Sequence, residues 1–433
     1  MTLSFLIAGV IGILTLSCSG NRQAVDGKGV RLVYWPSSNP HEIELARELV
    51  KEWNQAHPDT TVILQPLPEG RSGEEVLIIS AAGGTAPDIC SNVSPVITPL
   101  LAKAGVLVPV DQFTDGRQVL AERVPEDLLQ NFVAADGKLY QIPWKGNPIM
   151  VEYNLGVLKR AGIDTLPRTW SEWNNVAEKV CRDWDDDGRQ DIWMADINII
   201  AEWRQRLFDF YPLYIAASNG NTLLTKDHQI GFDNEITRKV FDFYAKGFRE
   251  DWYARSVYVG DVFLRGYMAA HITGPWNIAH TERFKPEGFE YAFGPVPVPD
   301  DHEGPVYTFG DPKSIGIFST SKHPEAAWAF IRFMISKQAD LRLLEICTQF
   351  PLRRDLLSDT LYTDYFKENP VMIPFAELVP TTRGFDQNPA LQEVFDAINS
   401  QFDAACIQGA RDTDRAVTLA VKRSKNILDA RGS

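Results

Sequence analysis

The segment from residue 31 to residue 91 constrains the fold more than any other part of the chain. Residues 31–35 form a short apolar strand, and residues 41–56 place Ile43, Ala46, Leu49, Val50 and Trp53 on one helical face. Residues 61–66 alternate as a strand, residues 73–82 read as a second helix, and Gly83-Gly84-Thr85-Ala86-Pro87 ends it before a strand at 88–91. A β-α-β-α-β run needs crossover connections, so it predicts a parallel sheet with helices on its faces. In such open sheets ligands sit in the crevice beyond the carboxyl ends of the strands. By that rule Trp35, Pro36 and Ser37 after the first strand, and Asn92 and Ser94 after the third, face a binding cleft.

The full length of 433 residues is enough for two or three domains with cores of their own. Acidic side chains outnumber basic ones by 57 to 43, a formal net charge of −14. Neutralising phosphates needs the opposite sign, which excludes a general nucleic-acid role. Residues 1–17 carry no charge and 3–16 are nearly all apolar. A membrane-spanning helix needs about 20 apolar residues, so this stretch suits the core of an export signal instead. The alternative, a buried N-terminal helix, fits less well because 19–29 is a polar, glycine-containing tether. The remaining cysteines, Cys90, Cys181, Cys347 and Cys406, lack C-x-x-C spacing, which argues against structural zinc or a redox pair, and four separate thiols are expected.

Several short motifs, in order along the chain, carry a resemblance to a known family. They include His57-Pro58-Asp59-Thr60-Thr61-Val62, Gly84-Thr85-Ala86-Pro87-Asp88-Ile89, Gly105-Val106-Leu107-Val108-Pro109-Val110 and Asp136-Gly137-Lys138-Leu139-Tyr140. Farther on come Pro167-Arg168-Thr169-Trp170, Phe263-Leu264-Arg265-Gly266-Tyr267-Met268, Gly274-Pro275-Trp276, Gly294-Pro295-Val296-Pro297 and His323-Pro324-Glu325-Ala326-Ala327-Trp328. The chain resembles the family 1 extracellular solute-binding proteins of bacterial ABC importers over about residues 30–355, and Thr15-Leu16-Ser17-Cys18 resembles a lipoprotein signal with Cys18 as the lipidated residue.

That resemblance implies an α/β, two-lobed periplasmic-binding-protein-like fold, each lobe a mostly parallel sheet flanked by helices, with crossing strands as hinge. The implied organisation is a signal at 1–17, a lipid-anchored tether at 18–29, lobe 1 at 30–147 and 305–338, and lobe 2 at 148–304 and 339–433. It also implies a monomeric, membrane-anchored receptor outside the cytoplasm. Its partners would be a carbohydrate ligand and the transmembrane subunits of an ABC permease, with no catalysis and no required cofactor. Glycerol phosphodiesters and other polar solutes are the alternative ligands.

Sugars present hydroxyl edges and weakly apolar faces, so a sugar site needs aromatic platforms rimmed by hydrogen-bonding groups. Trp276 is the first candidate platform, since Gly274-Pro275 holds the indole on a turn, and the family resemblance gives the Trp of this motif a stacking role. Trp144 at the lobe crossing, Trp35 at the end of the first strand, Trp203 and Tyr211 are further candidates, each with core packing as the alternative. The polar candidates are Glu69, Asn92, Asn147 and Gly310-Asp311. The resemblance of Phe350-Pro351-Leu352-Arg353-Arg354 to the family's Pro-x-Arg segment implies that Arg353 donates a fork of hydrogen bonds to ligand.

Asp183, Asp185, Asp187 and Asp191 stand at positions 1, 3, 5 and 9 of an EF-hand-type loop with Gly188 at 6, but position 12 is Met194 where a bidentate Glu belongs. Either a distant carboxylate completes a structural Ca²⁺ site or the loop is a plain acidic turn. No G-x-S-x-G, H-E-x-x-H or P-loop motif is present. A glycoside hydrolase, which needs only two carboxylates about 5–9.5 Å apart, is the competing class.

Overall fold

The computed structural model describes residues 29–68, 73–200, 202–225, 227, 229–257 and 259–432. The apolar leader, Cys18 and Glu69 lie outside the described residues. Eleven strands appear in the order β1 Val30–Trp35, β2 Thr60–Leu64, β3 Ile89–Val93, β4 Ile142–Lys145, β5 Met150–Asn154, β6 Trp193–Ala195, β7 Met268–Thr273, β8 Tyr291–Gly294, β9 Thr308–Phe309, β10 Lys313–Ile317 and β11 Thr382–Arg383. One sheet has the order β2-β1-β3-β10-β4, another β6-β7-β5-β8, and β9 pairs with β11.

Local chemistry accounts for the opening elements. The helix Pro40–Ala56 starts where the Asn39 side chain accepts the His41 and Glu42 amides, with Pro40 in its first turn. Leu45, Ala46, Leu49, Val50 and Trp53 are buried along it. Ile43, expected on that face, is only half-buried, and Glu42 is buried in the first turn. Trp53 closes the helix onto the next strand by donating its indole N–H to the Thr60 carbonyl at 2.8 Å.

The two larger sheets are mixed, and each contains one interior reversed strand. β1 runs parallel to β2 and β3, whereas β10 is antiparallel to β3 and β4. In the second sheet β6 and β7 are parallel and β5 is antiparallel to β7 and β8. The reversed strands are the two that enter from the other lobe: β5 continues from β4, and β10 returns after β8 and β9. A strand arriving from the crossing runs away from it, while its neighbours run toward it.

One core gathers Leu32, Tyr34, Leu49, Ile142, Trp144, Ile315, Phe330, Leu343 and Phe375, with Leu77, Cys90 and Phe318 in a smaller cluster. The other gathers Val151, Tyr153, Trp173, Met194, Tyr214, Phe241, Phe402 and Val417. Leu343, Leu344, Tyr362, Phe366, Phe375 and Val379 all belong to the first core, so the chain returns to the second lobe between Val379 and Phe385 and not near residue 339. The expected boundary therefore moves by some forty residues, because the apolar faces of Lys337–Cys347 and Ile373–Leu378 pack on lobe 1. The lobes touch directly where Phe293 of β8 meets Phe375, ring centroids 4.7 Å apart.

Three segments cross between the lobes and are hydrogen-bonded to one another. The Asn147 amide donates to Gly310 O at 2.5 Å, Ile149 N to Phe309 O at 2.8 Å and Gly310 N to Arg383 O at 3.0 Å. Gly310 suits this position because a Cβ there would lie 2.8 Å from the Cβ of Thr382. The carboxyl ends of β1, β3 and β4 and those of β6, β7 and β8 all point at this ribbon, which the registers fix. By the rule for open α/β sheets, the loops following those ends border the crevice between the lobes.

Candidate functional site

The second lobe supplies an aromatic wall. Trp276 opens the helix Trp276–Phe284 directly after β7, and its six-membered ring folds back over Gly274, where a Cβ would come within 2.2 Å of an indole carbon. Only glycine leaves room for the ring in this place. Phe208 packs edge-on against Trp276 at 6.0 Å and reaches Phe309 of the ribbon at 6.4 Å. The indole is half-buried, with its remaining surface open. Behind it, fully buried Glu152 accepts Asn277 Nδ2 at 2.7 Å and Thr281 Oγ1 at 2.8 Å, which anchors the helix that carries Trp276. Asp196, just past β6, is exposed yet surrounded: burial raises its carboxyl above the usual range, partly offset by His271. Trp203 is half-buried against Phe395 at 5.7 Å. Tyr211 is fully buried, with its hydroxyl donating to Gly384 O at 3.0 Å, and is structural.

The first lobe supplies a polar wall. Asn92 is half-buried at the carboxyl end of β3. Lys145 ends β4 and lies opposite Lys313 at the start of β10. Lys145 Nζ is 2.5 Å from Glu42 Oε1, and the same carboxylate accepts Ser37 Oγ at 2.7 Å and Gln349 Nε2 at 3.1 Å. Burial alone would raise the Glu42 carboxyl, but Lys145 and these donors hold it below the usual range. Asp311, next to Gly310 in the ribbon, lies 3.2 Å from Lys313 Nζ. Lys313, Asp196 and Phe208 were not anticipated from sequence; their signal lies in strand register and ring contacts, which no local motif carries.

Three further expected residues do not reach the cleft. Trp144 is 3% exposed in the first core, because β4 runs on through Lys145 with every residue buried and the crossing begins only at Gly146. Trp35 packs against the smaller cluster on the helix Gly73–Ala82 side and lines a pocket with Thr85, Pro87 and Asp88 before β3, at the end of that strand away from the ribbon. Arg353 is buried and spends its guanidinium on Asp340 Oδ2 at 2.8 Å and Ile335 O at 3.1 Å, with Arg123 holding the other Asp340 oxygen at 2.7 Å. Asn147 is in the ribbon but committed, since its Oδ1 accepts the Phe350 amide at 2.9 Å.

The acidic loop lies before β6, at the far end of lobe 2 from the ribbon. Carboxylate oxygens of Asp183, Asp185 and Asp187 come within 4.8 Å of one another. Asp191 is turned inward, accepting Trp184 N at 2.7 Å. A separate cavity of about 1280 Å³ spans the lobes between Leu100, Tyr140, Ile230, Pro389 and Leu428, and no candidate residue lines it.

Comparison with known proteins agrees with the two-lobed fold. The profile of the family described as bacterial extracellular solute-binding protein matches residues 39–340. A maltotriose-binding protein of Pyrococcus abyssi is 22% identical over 88% of this chain and 78% of its own length. An sn-glycerol-3-phosphate-binding periplasmic protein of Brucella melitensis is 21% identical over 92% of this chain and 93% of its own length. The structure of the sugar-binding protein MalE from Xanthomonas citri superposes with a TM-score of 0.76 at 22% identity, covering 93% of this chain and 98% of that one.

Proposed function

This chain belongs to the family of bacterial extracellular solute-binding proteins, and from that membership we propose that it captures a sugar, foremost an oligosaccharide, between its lobes and delivers it to an ABC permease. The observation that carries the ligand class is the half-buried Trp276 indole, fixed over Gly274 just past the ribbon end of β7, while Asn92, Asp311 and Lys313 stand at the ribbon ends of β3 and β10 in the other lobe. A flat apolar face opposite paired donors and acceptors matches a pyranose ring and its hydroxyls. The protein performs no chemistry in this reading. Ligand favours closure because only the closed state lets both walls touch it, and the permease would read that state. The receptor works as a monomer held at the outer membrane face by lipid on Cys18, and the loop 183–191 would take Ca²⁺ only as a structural ion.

A thermal-shift panel of neutral mono- and oligosaccharides tests the reading, since ligand at 100 times its dissociation constant adds about 2.7 kcal/mol. The expected result is stabilisation by at least one sugar that is recovered unchanged after long incubation. Turnover to product would overturn it in favour of a glycoside hydrolase. For the anchor, Cys18→Ser should release the protein from the membrane fraction, and unaltered fractionation would refute lipidation.

A further inference from the structure

Building on the sugar-capture reading, we propose that the lobe 1 wall turns away anionic solutes, and that Asp311 sets this preference by neutralising Lys313, the cation that a ligand would meet. A phosphate-binding cleft offers free cations and helix N-termini. This wall has both features and occupies both with its own groups. The 17-residue helix Pro40–Ala56 begins beside the end of β1, but Asn39 Oδ1 accepts two of its first amides and Glu42 sits in its first turn. The helix Gly73–Ala82 carries Glu74 and Glu75 in its first turn.

The two lysines are committed in the same way. Lys145 is 3% exposed and bound to Glu42. Lys313 is the one that water reaches, at 22% side-chain exposure, with Asp311 beside it at 17%. Burial alone would lower the Lys313 pKa, but Asp311, with Glu74 and Glu42 from the first turns of the two helices, raises it. Three carboxylates therefore face two ammoniums, and an entering phosphate would be dehydrated in a net negative field. Neutral hydroxyls meet the opposite situation, a donor at Lys313 Nζ next to an acceptor at Asp311.

The backbone at Asp311 points to the charge as the reason for an aspartate. Its φ is +32°, directly before Pro312, a conformation that glycine adopts most easily and that asparagine and aspartate both tolerate. Aspartate adds nothing to the fold there that asparagine would not, except its negative charge.

The test measures calorimetric binding of sn-glycerol 3-phosphate, with glycerol as its neutral parent, to the unaltered protein, Asp311→Asn and Asp311→Asn with Lys313→Gln. The expected outcome is at least about a tenfold gain in glycerol 3-phosphate affinity for Asp311→Asn, weakened by added salt and lost in the double variant. Asp311→Gly, which relaxes the backbone while removing the same charge, should show the same gain. The proposal is overturned if the unaltered protein already binds glycerol 3-phosphate as tightly as Asp311→Asn, if neither single variant gains, or if the gain survives loss of Lys313. Failure of every neutral sugar to bind the unaltered protein would instead remove the sugar reading, and this probe distinguishes the two.

Discussion

At the scale of single residues, position in the site was legible where a backbone constraint sits in the sequence and illegible where a partner lies far along the chain. Gly274-Pro275 announces that Trp276 is held on a turn, and the ring does lie over Gly274. Trp276→Ala is expected to weaken sugar binding by roughly 2–4 kcal/mol with little change in Tm, and Trp276→Phe to recover part of it. Lost Tm with unchanged affinity would place the indole in the core. Arg353 shows the opposite case. Its sequence neighbourhood does not name Asp340 as its partner, and Arg123, which completes the triad, is 217 residues from Asp340. Arg353→Ala should therefore act on stability, lowering it by about 3 kcal/mol through an unbalanced buried carboxylate. Ligand affinity of the folded fraction, measured by calorimetry, should stay near that of the unaltered protein; a large affinity loss at normal Tm would restore Arg353 to the site.

At the scale of elements, periodicity and capping residues carried the opening βαβαβ unit, and Gly73–Ala82 stands where its sequence pattern predicts. The reversed strands β5 and β10 were not readable, because direction depends on which lobe a strand enters from and not on its residues. The helices between Lys337 and Leu378 have apolar faces, but an apolar face does not name the lobe it packs on, and here it is lobe 1. The loop 183–191 gathers three carboxylates but satisfies several of their oxygens with its own amides, such as Gly188 N on Asp183 at 2.7 Å. As a calcium loop it predicts a lower Tm after chelation, abolished in Asp185→Ala, with sugar affinity little changed. An equal Tm with and without chelator would leave an acidic turn. The segment after β11 makes a pH prediction. Burial raises the Asp386 carboxyl to about 6, although Thr222 and the Leu224 amide bind it. A folded pKa above the unfolded one contributes stability that is complete below the unfolded value of 3.8 and is lost as pH rises through about 6. Tm should thus fall between about pH 4 and pH 6 through this group, and Asp386→Asn should flatten that slope; an unchanged slope would refute the assignment.

At the scale of the whole molecule, two lobes joined by crossing strands could be anticipated from motif order, whereas the third crossing at Thr382–Arg383 could not, since nothing local marks a two-residue strand. Three mutually bonded segments permit bending about the ribbon and resist sliding along it, so sugar should reduce the radius of gyration in solution scattering without changing molecular mass. An identical scattering curve with and without bound sugar would contradict closure. The same ribbon has a consequence for how the polypeptide is made. Lobe 1 needs residues as late as Val379 to fill its core, and lobe 2 needs Phe402 and Val417. Neither half can finish folding until the chain has been made at least through Val379 for lobe 1 and Val417 for lobe 2, so the two lobes gain their complete cores close together in time and not one long before the other.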